Sequence, residues 1–143
     1  MTDTAFKPAL ETVIVTDAGF APDDWQGPED RTATLGPEDR AEDLADRLVA
    51  LDLIRVTFPA FSDGRGFTLA RDLRRQGFTG RLRATGHVLA DQYAMARRAG
   101  FDEVEIDARL AARQPEADWR ARANWQSHDY QARLRGTAAG IPA

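Results

Sequence analysis

The sequence contains no cysteine. Disulfides, thiolate zinc sites, cysteine-ligated iron–sulfur clusters and thiol redox chemistry are therefore beyond this chain's own side chains. Histidine is scarce: His87 and His128 are the only two in 143 residues, which argues against a histidine-rich metal site, and no metal is expected. No apolar run approaches the roughly 18 residues that a membrane span needs. Met1-Thr2-Asp3-Thr4 lacks the basic and apolar regions of a secretory signal, so the chain reads as cytoplasmic. An excess of positive charge is missing as well. The net charge is −4, which argues against a nucleic-acid binder built on phosphate contacts.

What is present is ordinary for a soluble globular protein, with 43% hydrophobic and 29% charged residues. The length fits one α/β domain over residues 1–135 with its own core, followed by a flexible tail at 136–143. Residues 11–17 are β-branched and apolar and predict a first strand. Residues 18–37 hold Gly19, Pro22, Gly27, Pro28, Gly36 and Pro37. They read as an irregular connection (a lid, a ribbon or a mobile segment) with Trp25 as an anchor. Pro37, Glu38 and Asp39 suit a helix start, and Ala41, Leu44, Ala45, Leu48 and Leu51 recur at helical spacing.

Further strands are expected at 53–58, 81–85 and 102–106. Helices are expected at about 66–76 and 89–99, stopped by Gly77 and Gly100. A short helix at 107–113 and a final one over 116–135 complete the reading. The order β-α-β-α-β-α-β is that of a mainly parallel sheet built from short consecutive βα units.

Alternate strand residues lie on opposite faces of a sheet. Ile54, Val56 and Phe58, Leu82 and Ala84, and Val104 and Ile106 would share an apolar face. Arg55, Arg83, Glu103 and Glu105 would share the polar one, where the arginines can pair with the glutamates. A doubly wound sheet buries both faces and shows near-continuous apolar strands. The expected arrangement therefore has helices mostly on one face, as a partial (βα)-barrel-like or open Rossmann-like sheet. The C-terminal helix packs on it or extends from it, and this segment or another subunit covers the polar face.

Ligands of parallel α/β sheets bind beyond the carboxyl ends of the strands. On the expected topology those ends gather Asp17, Ser62, Asp63, Arg65, His87 and Asp107, with Asp91 and Gln92 close behind. The turn Ser62-Asp63-Gly64-Arg65-Gly66 joins a strand to a helix start. Its glycines allow positive φ, and the first helical turn favours an anion. The candidate ligand-binding set is Ser62, Asp63, Gly64, Arg65, Gly66, Arg83, His87, Asp91 and Gln92. Asp63, His87 or Asp91 would handle protons. The same residues have plain structural roles open to them, as caps, ion pairs and loop hydrogen bonds. Trp119, Trp125 and Tyr130 on the final helix are candidate partner anchors or core residues. No flavin, nicotinamide or metal-ligand motif is visible; the cofactor is unknown and catalysis is left open.

The blocks Leu53-Ile54-Arg55-Val56, Phe58-Pro59-x-Phe61-Ser62-Asp63-Gly64-Arg65-Gly66-Phe67, Leu82-Arg83-Ala84-x-Gly86-x-Val88-Leu89-x-Asp91-Gln92 and Arg97-Arg98-x-Gly100-Phe101-Asp102 resemble a bacterial family of unknown function, domain of unknown function 934. The resemblance covers about residues 50–107. Many members have Asp where this chain has His87. Its members carry the label of oxidoreductases involved in sulfite reduction and lie beside genes for the sulfite reductase haemoprotein and phosphoadenylylsulfate reductase. The resemblance implies an accessory protein of assimilatory sulfate and sulfite reduction, in the cysteine-biosynthesis route, with sulfite reductase or its electron donor as partner. The alternative is a small enzyme or sensor that holds a sulfur oxyanion or phosphate at Ser62–Gly66. Membranes and nucleic acids are not expected partners, and self-association is left open.

Overall fold

The computed structural model describes residues 12–126. Its centre is an open six-stranded sheet. The strands are β1 (Thr12–Thr16), β2 (Gly19–Ala21), β3 (Thr32–Leu35), β4 (Leu53–Phe58), β5 (Arg81–Gly86) and β6 (Glu103–Asp107). Their order is β2-β1-β6-β5-β4-β3. β3, β4, β5 and β6 are mutually parallel neighbours, whereas β1 runs antiparallel to both β2 and β6. Among the described residues the sheet is not closed into a barrel, and β2 and β3 lie at its edges.

Register fixes the two faces. Ala33, Ile54 and Leu82 lie abreast, as do Leu35, Val56, Ala84, Val104 and Val15. These side chains meet Phe67, Ala70, Leu73, Tyr93, Ala96, Phe101, Leu110 and Trp119 in one apolar core. The helices that supply them are α1 (Arg65–Arg75), α2 (Tyr93–Ala99), α3 (Ala108–Arg113) and α4 (Glu116–Arg120). α1 starts after Gly64 and buries Gly66, Phe67, Leu69, Ala70 and Leu73, a stripe at helical spacing. α2 ends on Gly100, whose φ of 120° suits a glycine after a helix. Asp107 caps α3 by accepting a hydrogen bond from the Leu110 N–H at 2.8 Å.

The helix expected over 116–135 ends at Arg120, with turns over 121–126, and three further sequence expectations are corrected. First, residues 18–37 are irregular only in part: of the three alternatives the ribbon is found, β2 pairing with β1, but β3 is an unexpected parallel strand beside β4. Four residues between a glycine- and proline-rich stretch and Gly36 are too few to show a period. Second, residues 37–51 form no continuous helix. They make two 3₁₀ turns, Ala41–Leu44 and Leu48–Ala50. The Ala41-to-Leu44 spacing of three fits that tighter winding as well as it fits an α-helix. Third, β1 is antiparallel, because the tight turn at Asp17 and Ala18 folds it onto β2 and no crossover follows it.

The polar face has its own cover. The chain leaves β2 at one sheet edge and enters β3 at the other, so residues 22–31 cross the whole sheet. Five inter-strand steps amount to about 24 Å. Ten residues reach at most about 36 Å, so this strap is well extended. It lays Asp23 on Arg83, and Asp24 and the Trp25 ring on Arg81. At its far end Arg31 pairs with Asp52. Among the described residues this cover is the strap.

Candidate functional site

The turns that follow β3, β4, β5 and β6 share one rim, because those strands are parallel. Pro59–Gly64 follows β4 and His87–Leu89 follows β5. The two are joined closely. The His87 N–H donates to the Phe58 carbonyl at 2.9 Å. His87 Nδ1 lies 2.7 Å from the Pro59 carbonyl oxygen, and the imidazole packs 5.2 Å from the Phe61 ring. Gln92 spans the same gap: its Nε2 donates to the Phe61 carbonyl at 2.8 Å while its Oε1 accepts from the Leu89 N–H. These contacts lock the β4 turn to the start of α2.

The close approach has a covalent reason. Gly86 sits at φ 112°, and a Cβ there would lie 2.7 Å from the Phe58 carbonyl oxygen. Gly66 serves by lacking a side chain, since a Cβ would fall 2.4 Å from the Phe58 ring. The sequence expectation of positive φ in the Ser62–Gly66 turn is thus corrected. Gly64 has φ −87°, and Gly66 lies within the helix.

Asp63 and Arg65 face each other. The Asp63 carboxylate accepts from the Arg65 backbone N–H, from Nε at 3.0 Å and from Nη2 at 2.7 Å. Those bonds, led by the guanidinium, hold the Asp63 carboxyl well below the usual range, at about 2. Ser62 is exposed beside them. Asp91 pairs with Arg122 at 2.6 Å and is largely exposed. Phe61 remains 38% exposed at the outer edge of the turn.

Two candidates lie away from this rim. Asp17 ends an antiparallel strand, so it sits at the opposite rim, near the start of β6. There it accepts hydrogen bonds from Tyr93, Arg97 and Trp125. Burial pushes its carboxyl up, but those three donors outweigh it and leave the pKa below the ordinary value. Arg83 lies on the strap-covered face and is fully buried. Its guanidinium donates to Glu103 at 2.7 Å, to Glu105 at 3.1 Å and to Asp23 at 3.1 Å. Burial opposes its charge, yet the bonds to Asp23 and Glu103 prevail and raise its pKa. Ringed by carboxylates, Arg83 is turned away from any anion held at the Arg65 turn.

The aromatic candidates separate. Trp119 is 1% exposed, donates to the Gln114 carbonyl at 2.7 Å and packs edge-on to Tyr93 at 6.1 Å. Trp125 stacks on Arg97 at 4.7 Å. Tyr130 lies outside the described residues.

Besides an open cleft of about 420 Å³ beside Asp91, Gln114, Asp118 and Arg122, the rim opens into two cavities. One of about 350 Å³ is lined by Asp39, Arg40, Glu42, Arg65 and Asp72 among others. Its three carboxylates outnumber its two guanidiniums. A smaller one of about 160 Å³ lies between Thr85, His87, Glu105 and Asp107. No group of metal-ligating side chains occurs among the described residues, and no described helix is long and apolar enough to cross a membrane.

Sequence reading missed Asp23, Asp24, Gly86 and Gln114, the last of which accepts from the Ala90 N–H and ties α3 to the start of α2. The Asp-Asp-Trp cluster was the available signal: acids and an aromatic in a turn-rich stretch need a cationic surface to sit on.

Fold and rim together define an open, mostly parallel α/β protein whose strand-end turns are bonded to one another. The chain belongs to the family described as bacterial protein of unknown function (DUF934), whose model matches residues 33–140. No curated protein and no solved structure matches it.

Proposed function

We propose that this protein is an accessory factor of assimilatory sulfite reduction that works by docking, with sulfite reductase or its electron donor as the partner. The pathway comes from the family resemblance in the central blocks. The mode of action is carried by one observation: the rim's polar groups are engaged with each other. Asp63 is held by Arg65, Gln92 bridges two loops, and His87 meets the Pro59 carbonyl. A carboxyl with a pKa of about 2 is a weak proton acceptor at neutral pH. Such cross-bonding makes a stiff surface with Phe61 at its edge, and a preorganised surface loses little entropy on association.

The competing reading, a sulfur oxyanion or phosphate held at Ser62–Gly66, meets an electrostatic objection. The adjoining cavity carries more carboxylates than guanidiniums, and an added dianion would be repelled by them. Titration calorimetry against the cognate sulfite reductase tests the proposal. A complex on the order of tens of micromolar or tighter is expected, with altered reductase turnover. If neither appears, docking is wrong. A rise in melting temperature with sulfite or sulfate that Arg65→Ala abolishes would favour the oxyanion reading instead.

A further inference from the structure

The layer that covers the apolar sheet face is electrically divided. It consists of the crossover at 36–52, then α1, then α2, packed side by side. Residues 37–50 carry Glu38, Asp39, Glu42, Asp43 and Asp46 against Arg40 and Arg47, all exposed. α1 and α2 carry Arg65, Arg71, Arg74, Arg75, Arg97 and Arg98 against the single Asp72.

Part of that positive charge is structural. Arg74 donates to the carbonyls of Phe78, Gly80 and Gly100 and to Asp102, and Arg97 donates to Asp17 and the Phe101 carbonyl. Arg71, Arg75 and Arg98 are exposed on the outer surface, with Arg75 paired to Asp72 at 3.1 Å along the helix. Helix-end arginines suit the dipole, but Arg71 lies mid-helix, where that reason fails. The same layer bears two of the three large exposed hydrophobic residues among the described ones, Val49 at 97% on the acidic flank and Met95 at 42% on the basic one.

We propose that this layer is the interface of a two-fold homodimer, in which the acidic crossover of each copy lies against the α2 flank of the other. An isologous contact requires one patch to hold both halves of its own complement. A patch negative on one side of α1 and positive on the other meets that condition when the axis passes over α1. The same operation brings each Val49 toward the flank that carries the partner's Met95. A nucleic acid would fit only the basic half and would meet the carboxylates beside it. An unrelated acidic protein would leave the crossover unmatched.

The expected strength follows from size. α1 is about 16 Å long, and neighbouring elements lie about 10 Å apart. The patch is then roughly 400 Å² per copy, about half of a standard interface. The dimer is therefore weak and salt-sensitive, and it is read at high concentration.

Sedimentation velocity from about 5 to 500 µM provides the test. The wild-type dimer fraction should rise with concentration and fall severalfold between low salt and about 0.5 M salt. The variants Arg71→Glu/Arg75→Glu and Glu38→Arg/Asp46→Arg should each be monomeric with unchanged melting temperatures, and mixing them should restore a heterodimer. A wild type that stays monomeric at low salt overturns the proposal. So do variants that dimerise like wild type, or a mixture of well-folded variants that fails to associate. Retention of the monomer on single-stranded RNA, lost in Arg71→Glu/Arg75→Glu, would assign the basic flank to nucleic acid and also overturn it. None of these outcomes depends on sulfite reductase.

Discussion

At the residue scale, Arg83 decides the fate of the polar face. It is fully buried and balances Glu103, Glu105 and Asp23. Arg83→Met is expected to cost up to about 3 kcal/mol, since it removes one partner from Glu105 and Asp23 and leaves the buried Glu103 with Arg81 alone. Urea unfolding measures this, and Arg83→Met/Glu103→Leu should recover part of the loss; equal loss in both variants would refute the charge argument. Asp63 gives a pH prediction. Its folded pKa of about 2 lies below the unfolded value, so its contribution is full above the unfolded pKa and is lost as pH falls toward 2. A carboxyl NMR titration should show that low midpoint in wild type and a higher one in Arg65→Ala, where the backbone N–H of residue 65 still donates. The pairing of Arg83 with the two glutamates was legible in the sequence, because strand alternation put them on one face. The reason for Gly66 was not. It depends on the Phe58 ring, which only the packing of α1 on β4 brings near.

At the element scale, β4, β5, β6, α1 and α2 were legible because each joins a clear period to a clear stop. β3 was not, since its four residues take their partner from a strand eighteen positions further on. Strand direction was the deeper gap. Apolar alternation reads the same in either sense, so nothing local told that β1 runs against β6. That one reversal carries Asp17 to the far rim, where it holds Tyr93 and Arg97 instead of joining the His87 turn. The α3 start was legible through Asp107. Asp107→Ala is expected to destabilise by about 1 kcal/mol, measured by thermal melting. A loss well above that would mean that Asp107 does more than cap Leu110.

At the scale of the whole molecule, the family match begins at residue 33, after the ribbon and the strap. Yet the strap's Asp23 and Asp24 answer Arg83 and Arg81, which lie inside the matched range. A chain shortened to begin at Thr32 should therefore unfold at lower urea and bind more of a hydrophobic dye, because β6 loses its neighbour β1 and Arg83 loses its cover. An unchanged midpoint would show that the N-terminal segment adds nothing. The route of that segment has a mechanical corollary. It is anchored at both margins of the sheet, by β2 at one and by Arg31 with β3 at the other. Peeling from a free end is thus unavailable, and opening takes the form of a sideways bow. One protease cut beside Gly27 would leave two fragments on a denaturing gel that still migrate as a single particle in native buffer.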